Sequence, residues 1–116
     1  MTAIRDVFAG YFQHFGIQLP DPLPDRGQIR QGSWSIRYVV LRDEQGLPCL
    51  EFVAFNRFTN PRHERILSSG EIVSLPEIQE EFSYDPKVPG DRDAAQARMI
   101  EHNRAVMEDL RRKGLM

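Results

Sequence analysis

The hydrophobic positions near the start of the chain recur three and four residues apart, which is the spacing of one face of a helix. The helix predicted by this spacing begins at Thr2, which can cap its start, and runs to Phe15, with Gly16 as its stop. Its apolar face consists of Ile4, Val7, Phe8, Tyr11, Phe12 and Phe15. Because four of these six side chains are aromatic, the face carries a large apolar area. We interpret it as core packed on a sheet, and the alternative is a docking face for another chain.

A period of two replaces the helical spacing after Gly32. Apolar and polar residues alternate at the start of residues 33–41, which predicts a strand with one solvent-exposed face there. Residues 46–58 are apolar on both faces and predict an interior strand. Residues 62–69 and 71–75 predict a third and a fourth strand, joined by a tight turn. We expect the second and third strands to join through the sequence TNPR, residues 59–62. Short successive strands with tight turns favour an antiparallel meander.

Prolines mark the segments between the predicted elements. Residues 19–28 hold three prolines with no apolar period and predict an extended connector, and residues 83–91 predict a second loop. Between the last strand and this loop, Ser74 with Glu77 three residues later gives a capping pattern, and Pro76 suits a first turn. Residues 74–82 therefore predict a short helix, with a continued strand as the alternative.

The last segment predicts a long helix from about Asp91 to Lys113. Acidic side chains at its start, basic side chains in its last turn and Gly114 behind it all suit a helix. Its apolar face is narrow and is interrupted by Asn103; it consists of Met99, Ile100, Val106, Met107 and Leu110. Such a face can cover the sheet within one monomer or pair with its own copy in a dimer. We favour packing within the monomer.

These elements predict a single α+β domain over residues 1–116. In it, the N-terminal helix and the long C-terminal helix pack on a four-stranded antiparallel β-meander, both on the same face of the sheet. Hydrophobic residues make up 41% and charged residues 28% of the chain, which is typical of globular proteins.

The net charge, the single cysteine and the lengths of the apolar segments bear on the partners and location of the protein. The formal net charge of -2 gives no overall field that would attract nucleic acid or an anionic membrane, so any such binding needs a local patch. Cys49 is the only cysteine and lies in an apolar run, where we expect a buried thiol. No apolar segment has the length of a signal peptide or a membrane span, which predicts a cytoplasmic protein without a membrane partner.

The sequence NRFTNPRHERI, residues 56–66, concentrates basic side chains at the predicted turn. Guanidinium groups there could hold phosphate or carboxylate, and neighbouring aromatic rings, Trp34 and Tyr38 among them, could stack on bases. The candidate anion or single-stranded nucleic-acid site consists of Arg57, Phe58, Arg62, His63 and Arg65. The alternative, which we favour, is a solvated hairpin whose charges pair across strands, with Arg65 opposite Glu51 and Arg57 opposite Glu64.

Motifs for catalysis and metal binding are absent from the sequence. The three histidines, His14, His63 and His102, are scattered, so we expect no metal site, no cofactor and no assigned catalytic residue. The sequence predicts a non-enzymatic protein-interaction module that acts as a homodimer. Anion or single-stranded nucleic-acid binding through residues 56–66 is the alternative. An enzyme that uses His63 as acid or base is a third hypothesis.

Overall fold

The computed structural model describes residues 4–76 and 83–116 of the chain. Its helices and strands are α1 (Ile4–Gln13), β1 (Arg26–Gln31), β2 (Trp34–Arg42), β3 (Pro48–Asn56), β4 (Thr59–Ile66), β5 (Ile72–Ser74) and α2 (Asp91–Arg112). The strands form one antiparallel sheet in the order β1-β2-β3-β4-β5. The predicted α+β class with a meander is confirmed, but the described part of the sheet has five strands where four were predicted.

The strand missed by the sequence analysis is β1. It overlaps the end of the predicted connector, and Ile29 is its one buried apolar side chain. A strand with a single core residue shows no apolar alternation, so the period-two pattern does not reveal it. Pairing with β2 holds it in place, with Ile29 opposite Ile36.

The turn between β3 and β4 lies two residues earlier than predicted. Arg57 and Phe58 form it, and the TNPR sequence belongs to β4. The Asn56 side chain accepts a hydrogen bond from the Phe58 backbone N–H at 2.9 Å, which stabilises a turn before the expected one. The register shifts between Ala54 and Asn56, and Pro61, which has no N–H to donate, lies in the part of β4 opposite this shift.

The two helices lie on opposite faces of the sheet, so the prediction that both cover one face is wrong. One apolar cluster joins α1 to one face of the sheet, including Phe12 of the helix and Phe52 of β3. A second cluster joins α2 to the other face, where Val53 packs with Leu110. The physical reason is that β3 is apolar on both faces, and each face needs a covering layer.

Glycines end both helices as predicted. Gly16 has a φ of 71°, and the Ile17 N–H bonds to the Phe12 carbonyl at 3.1 Å. Gly114 has a φ of 76°, and the Leu115 N–H bonds to the Leu110 carbonyl at 2.8 Å. The second turn sends Leu115 back into the core beneath α2.

The length of α2 is confirmed, but its apolar face differs from the prediction. Val106 and Leu110 are buried and Met107 packs beside them, whereas Ile100 is 57% exposed. The predicted short helix over residues 74–82 lies largely outside the described residues, and Ser74 is the last residue of β5. Neither helix of the described chain combines the length and apolar character needed to cross a membrane.

Candidate functional site

A fully buried carboxylate, that of Glu51, lies at the centre of the sheet on the α2 face. Arg65 Nη2 donates a hydrogen bond to its Oε1 at 2.7 Å, and Lys113 Nζ donates to Oε1 at 3.1 Å and Oε2 at 3.0 Å. His63 Nε2 lies 3.1 Å from Oε2. These four contacts occupy the roughly four acceptor positions of a carboxylate.

Sheet register and the end of α2 bring these groups together. Glu51 lies directly opposite Arg65, as predicted, and His63 is opposite Val53 on the same face of the sheet. Lys113, the residue that follows α2, reaches down to Glu51 and also donates to Asp109 Oδ2 at 2.7 Å. We call these five residues, Glu51, His63, Arg65, Asp109 and Lys113, the Glu51 cluster.

His63 has both ring nitrogens engaged. Nδ1 lies 2.9 Å from the Pro76 carbonyl oxygen, and Nε2 faces the Glu51 carboxylate. Both partners only accept hydrogen bonds, whereas a neutral imidazole has a single N–H. The ring bridges the Pro76 carbonyl and the Glu51 carboxylate at a position whose side chain is 4% exposed.

The electrostatics of the cluster favour the charged form of its acids. Burial raises the pKa of Glu51, but hydrogen bonds from His63, Arg65 and Lys113 outweigh that effect and lower the pKa to about 2. Burial also opposes ionisation of Asp109, yet the hydrogen bond from Lys113 lowers its pKa. Removing one member of a buried charge pair typically costs about 3–5 kcal/mol. The Glu51 cluster therefore links β3, β4 and the end of α2 through one carboxylate.

The same geometry limits what the cluster can do chemically. Acid–base work by His63 would require the release of one ring nitrogen, from Pro76 or from Glu51, at a buried position. Cys49 lies on the same face and is fully buried, as expected, and burial raises the pKa of its thiol. No group of three or more His, Cys, Asp or Glu side chains within the described residues is arranged to hold a metal ion.

The basic residues predicted as an anion site are brought to three different places. His63 and Arg65 join the Glu51 cluster on the α2 face. Arg62 lies on the α1 face, where its Cζ is 5.0 Å from the centre of the Phe15 ring. Arg57 is at the turn, with its Cζ 4.8 Å from the Phe58 ring centre. Anion binding through residues 56–66 stays a prediction, and the structure does not bring its four basic side chains to one point.

Glu64 is held by α1 and not by Arg57. Tyr11 Oη donates a hydrogen bond to Glu64 Oε1 at 2.8 Å, and Arg62 Nη1 lies 3.6 Å from the same oxygen. Glu64 lies opposite Phe52 in the sheet, so the predicted pairing of Arg57 with Glu64 is wrong. The cause is the early turn, which places Arg57 outside the ladder.

Aromatic and basic side chains gather at the end of the sheet that carries the β3–β4 turn. The Phe15 and Trp34 rings meet edge to face at 5.2 Å between centres. The Asn56 side-chain amide donates to Ser33 Oγ at 2.9 Å and so ties the β1–β2 and β3–β4 turns together. We call this surface the aromatic end; it consists of Phe15, Trp34, Arg57, Phe58 and Arg62.

The aromatic side chains of this surface differ in their exposure to solvent. Phe58 is 73% exposed, and Trp34 is half-buried. Tyr38, which the sequence analysis offered for base stacking, is only 2% exposed and lies in the core cluster beneath α1. Phe58 is therefore the most accessible large apolar side chain of the described residues.

The Glu51–Arg65 pair was predicted from the sequence, whereas the contributions of Lys113 and Asp109 were not. A single glutamate inside the apolar run LPCLEFVAF was the available signal, because a buried acid needs several donors. Comparison of the chain with protein-family models, with curated proteins and with solved structures gave no match. Functional inference therefore rests on the geometry of its own residues.

Proposed function

We infer that this protein is a small cytoplasmic, non-enzymatic protein-interaction module that acts as a homodimer, with the aromatic end as its contact surface. The observation that carries this proposal is the 73% exposure of Phe58 at the tip of a hairpin. A turn in a sheet is normally polar, whereas this one presents a phenyl ring to solvent. Burying that ring in a partner would remove on the order of 150 Å² of apolar surface from water.

The composition of the aromatic end supports a binding role. Tryptophan, tyrosine and arginine dominate the residues whose removal most weakens protein interfaces. Here the Trp34 ring and the Arg62 guanidinium both contact Phe15, which holds them in place before any partner arrives. Ordered side chains lose little rotamer freedom on binding, so the surface is suited to association.

A second copy of the chain is the partner that fits the hairpin tip. In a two-fold interface every contact occurs twice: if one residue contacts a second residue of the other copy, the second residue of the first copy contacts the first residue of the other. Arg57 already stacks on Phe58 within one chain, at 4.8 Å between Cζ and ring centre. Across a two-fold axis, the Arg57 of each copy would stack on the Phe58 of the other, which gives two equivalent cation–π contacts.

The Glu51 cluster supports the non-enzymatic part of the proposal. Its carboxylate accepts hydrogen bonds from Arg65, Lys113 and His63, so its acceptor positions are occupied. A group held in this way stabilises the fold and has no free position for a substrate. We therefore assign the cluster to structure and the aromatic end to binding.

Sedimentation equilibrium over a range of concentrations tests the proposal. The wild-type protein is expected to dimerise, and Phe58→Ser is expected to weaken the dimer by at least about tenfold in Kd, which is the loss of one interface hot spot. Leu47→Ser is the matched control, because Leu47 is an exposed apolar residue in the β2–β3 turn at the opposite end of the sheet. The proposal would be contradicted if the wild-type protein stayed monomeric, or if both variants weakened the dimer equally.

A further inference from the structure

Arginines from β1 and β2 share one face of the sheet. In the ladder, Arg26 lies opposite Val39, Gln28 opposite Arg37, and Arg30 opposite Ser35. Directly paired residues point to the same face, and Val39 belongs to the cluster beneath α2. The α2 face of these two strands therefore carries what we call the basic face: Arg26, Gln28, Arg30, Ser35 and Arg37.

The arginines of the basic face are accessible and have no acidic partner among the described residues. Arg26, Arg30 and Arg37 are all exposed. Within residues 4–76 and 83–116, none of the three forms an ion pair, although seven other basic residues do. The chain as a whole carries a net charge of -2, so this concentration of unpaired positive charge is local. A local patch is what anion binding by such a chain requires.

The spacing of these charges suits an extended ligand. Arg26 and Arg30 are four residues apart on β1, or about 13 Å along the strand. Arg37 lies on the neighbouring strand, diagonal to both, at a lateral offset of about 5 Å. The three guanidinium groups thus originate from a band along the strands and not from one point. A single small anion would contact only part of this band, whereas a chain of anions could contact all of it.

We propose that the basic face binds the phosphodiester backbone of single-stranded nucleic acid. Each guanidinium offers a planar fork of donors that matches two phosphate oxygens. Gln28 and Ser35 lie between the arginines and add neutral hydrogen-bonding groups, with their side chains 3.5 Å apart. Phe55 lies opposite Ser35 on the same face and is only half-buried, so its ring can contact a base.

This site is distinct from both the predicted anion site and the aromatic end. The predicted site drew on Arg62, which lies on the α1 face, and on His63 and Arg65, which bind Glu51. The basic face lies on β1 and β2, and β1 is the strand that the apolar pattern did not reveal. It does not depend on the homodimer proposal, because none of its residues belongs to the hairpin tip.

Fluorescence anisotropy with a labelled single-stranded oligonucleotide of about 12 nucleotides tests the proposal. If three phosphates are neutralised, the slope of log K against log salt is expected to be about -2, so affinity falls roughly twentyfold between 50 and 200 mM salt. The variant Arg30→Gln/Arg37→Gln is expected to weaken binding at least about tenfold and to make the slope shallower by about 1 to 2. Arg92→Gln/Arg98→Gln removes the same charge from exposed positions on α2 and is expected to bind like wild type.

Four outcomes of the binding measurements would overturn the proposal. The first is that the wild-type protein does not bind the oligonucleotide, and the second is that both double variants lose affinity equally. The third is that only Arg57→Gln/Arg62→Gln loses affinity, and the fourth is that a poly-glutamate peptide of the same charge binds equally tightly. The third outcome would place the site at the hairpin tip, and the last would make the ligand an acidic peptide. Amide chemical-shift mapping on the wild-type protein provides a readout that needs no substitution: shifts are expected on β1 and β2, and shifts confined to other elements would also overturn the proposal.

Discussion

His63 and Glu51 meet across neighbouring strands in the interior, with Nε2 and Oε2 3.1 Å apart. The contact lies beneath the end of α2, where Lys113 binds the same carboxylate. Because Pro76 holds the other ring nitrogen of His63, the pair also fixes the segment that follows β5. One buried charge thus connects the middle of the sheet to two later parts of the chain.

Replacing Glu51 by Gln is expected to lower the free energy of unfolding by about 3–5 kcal/mol, because three donors then lose their charged partner in the interior. Urea unfolding followed by circular dichroism measures the change. Glu101→Gln is the matched control, since Glu101 pairs with Arg104 on the exposed side of α2 and should cost under about 1 kcal/mol. A loss at Glu51 no larger than at Glu101 would mean that the buried cluster contributes little.

Stability is expected to fall in acid as Glu51 takes up a proton. The pKa of Glu51 is lowered in the folded protein from 4.5 to about 2, so the folded state favours the ionised form. The resulting contribution is fully present above pH 4.5 and is lost as the pH falls from there towards 2. Unfolding free energies measured across this range should converge for wild type and Glu51→Gln at the acid end. A difference between them that is constant with pH would contradict this assignment.

Lys113→Met is expected to loosen the end of α2. The change keeps the aliphatic stem but removes the ammonium that binds Glu51 and Asp109, at a cost of about 1–3 kcal/mol. Hydrogen exchange should report faster exchange at the Leu115 amide, which bonds to the Leu110 carbonyl. Arg111→Met, at an exposed position two residues earlier, provides the comparison and should leave that amide protected.

Replacing either Tyr38 or Tyr11 by Phe removes one hydroxyl, and the two substitutions are expected to change the free energy of unfolding in opposite directions. The Tyr38 hydroxyl is buried and has no hydrogen-bond partner within the described residues, so Tyr38→Phe should stabilise the protein by about 1 kcal/mol. The Tyr11 hydroxyl donates to Glu64 at 2.8 Å, so Tyr11→Phe should destabilise it by a similar amount. Thermal unfolding of both variants measures the two effects. Destabilisation by Tyr38→Phe would show that its hydroxyl has a partner.

The elements with several apolar residues on one face were predictable from sequence. The spacing of Phe8 and Phe12 gave α1, and the charge pattern with Gly114 gave α2. The strand β1 was not predictable in this way, because it has one core residue and is held by backbone pairing to β2. The turn at Arg57 and Phe58 was misplaced because the Asn56 side chain stabilises an earlier turn than the Asn-Pro sequence suggests.

The candidate sites depend on information that sequence spacing does not contain. The pairing of Glu51 with Arg65 follows from adjacent strands, and it was predicted. Lys113 reaches Glu51 from 62 positions away, through the placement of α2 on the second face of the sheet. The basic face requires the register of β1 against β2, which puts Arg30 and Arg37 on the same side. Both depend on tertiary packing, so local pattern alone could not reveal them.

The most direct test of the proposed self-association is a dilution series of the isotopically labelled protein followed by amide chemical shifts. Self-association through the aromatic end predicts concentration-dependent shifts at residues 56–59, at Phe15 and at Trp34, with none around Leu47 in the opposite turn. Phe58→Ser should abolish these shifts. Spectra that do not change with concentration, or shifts centred on other surfaces, would contradict the account.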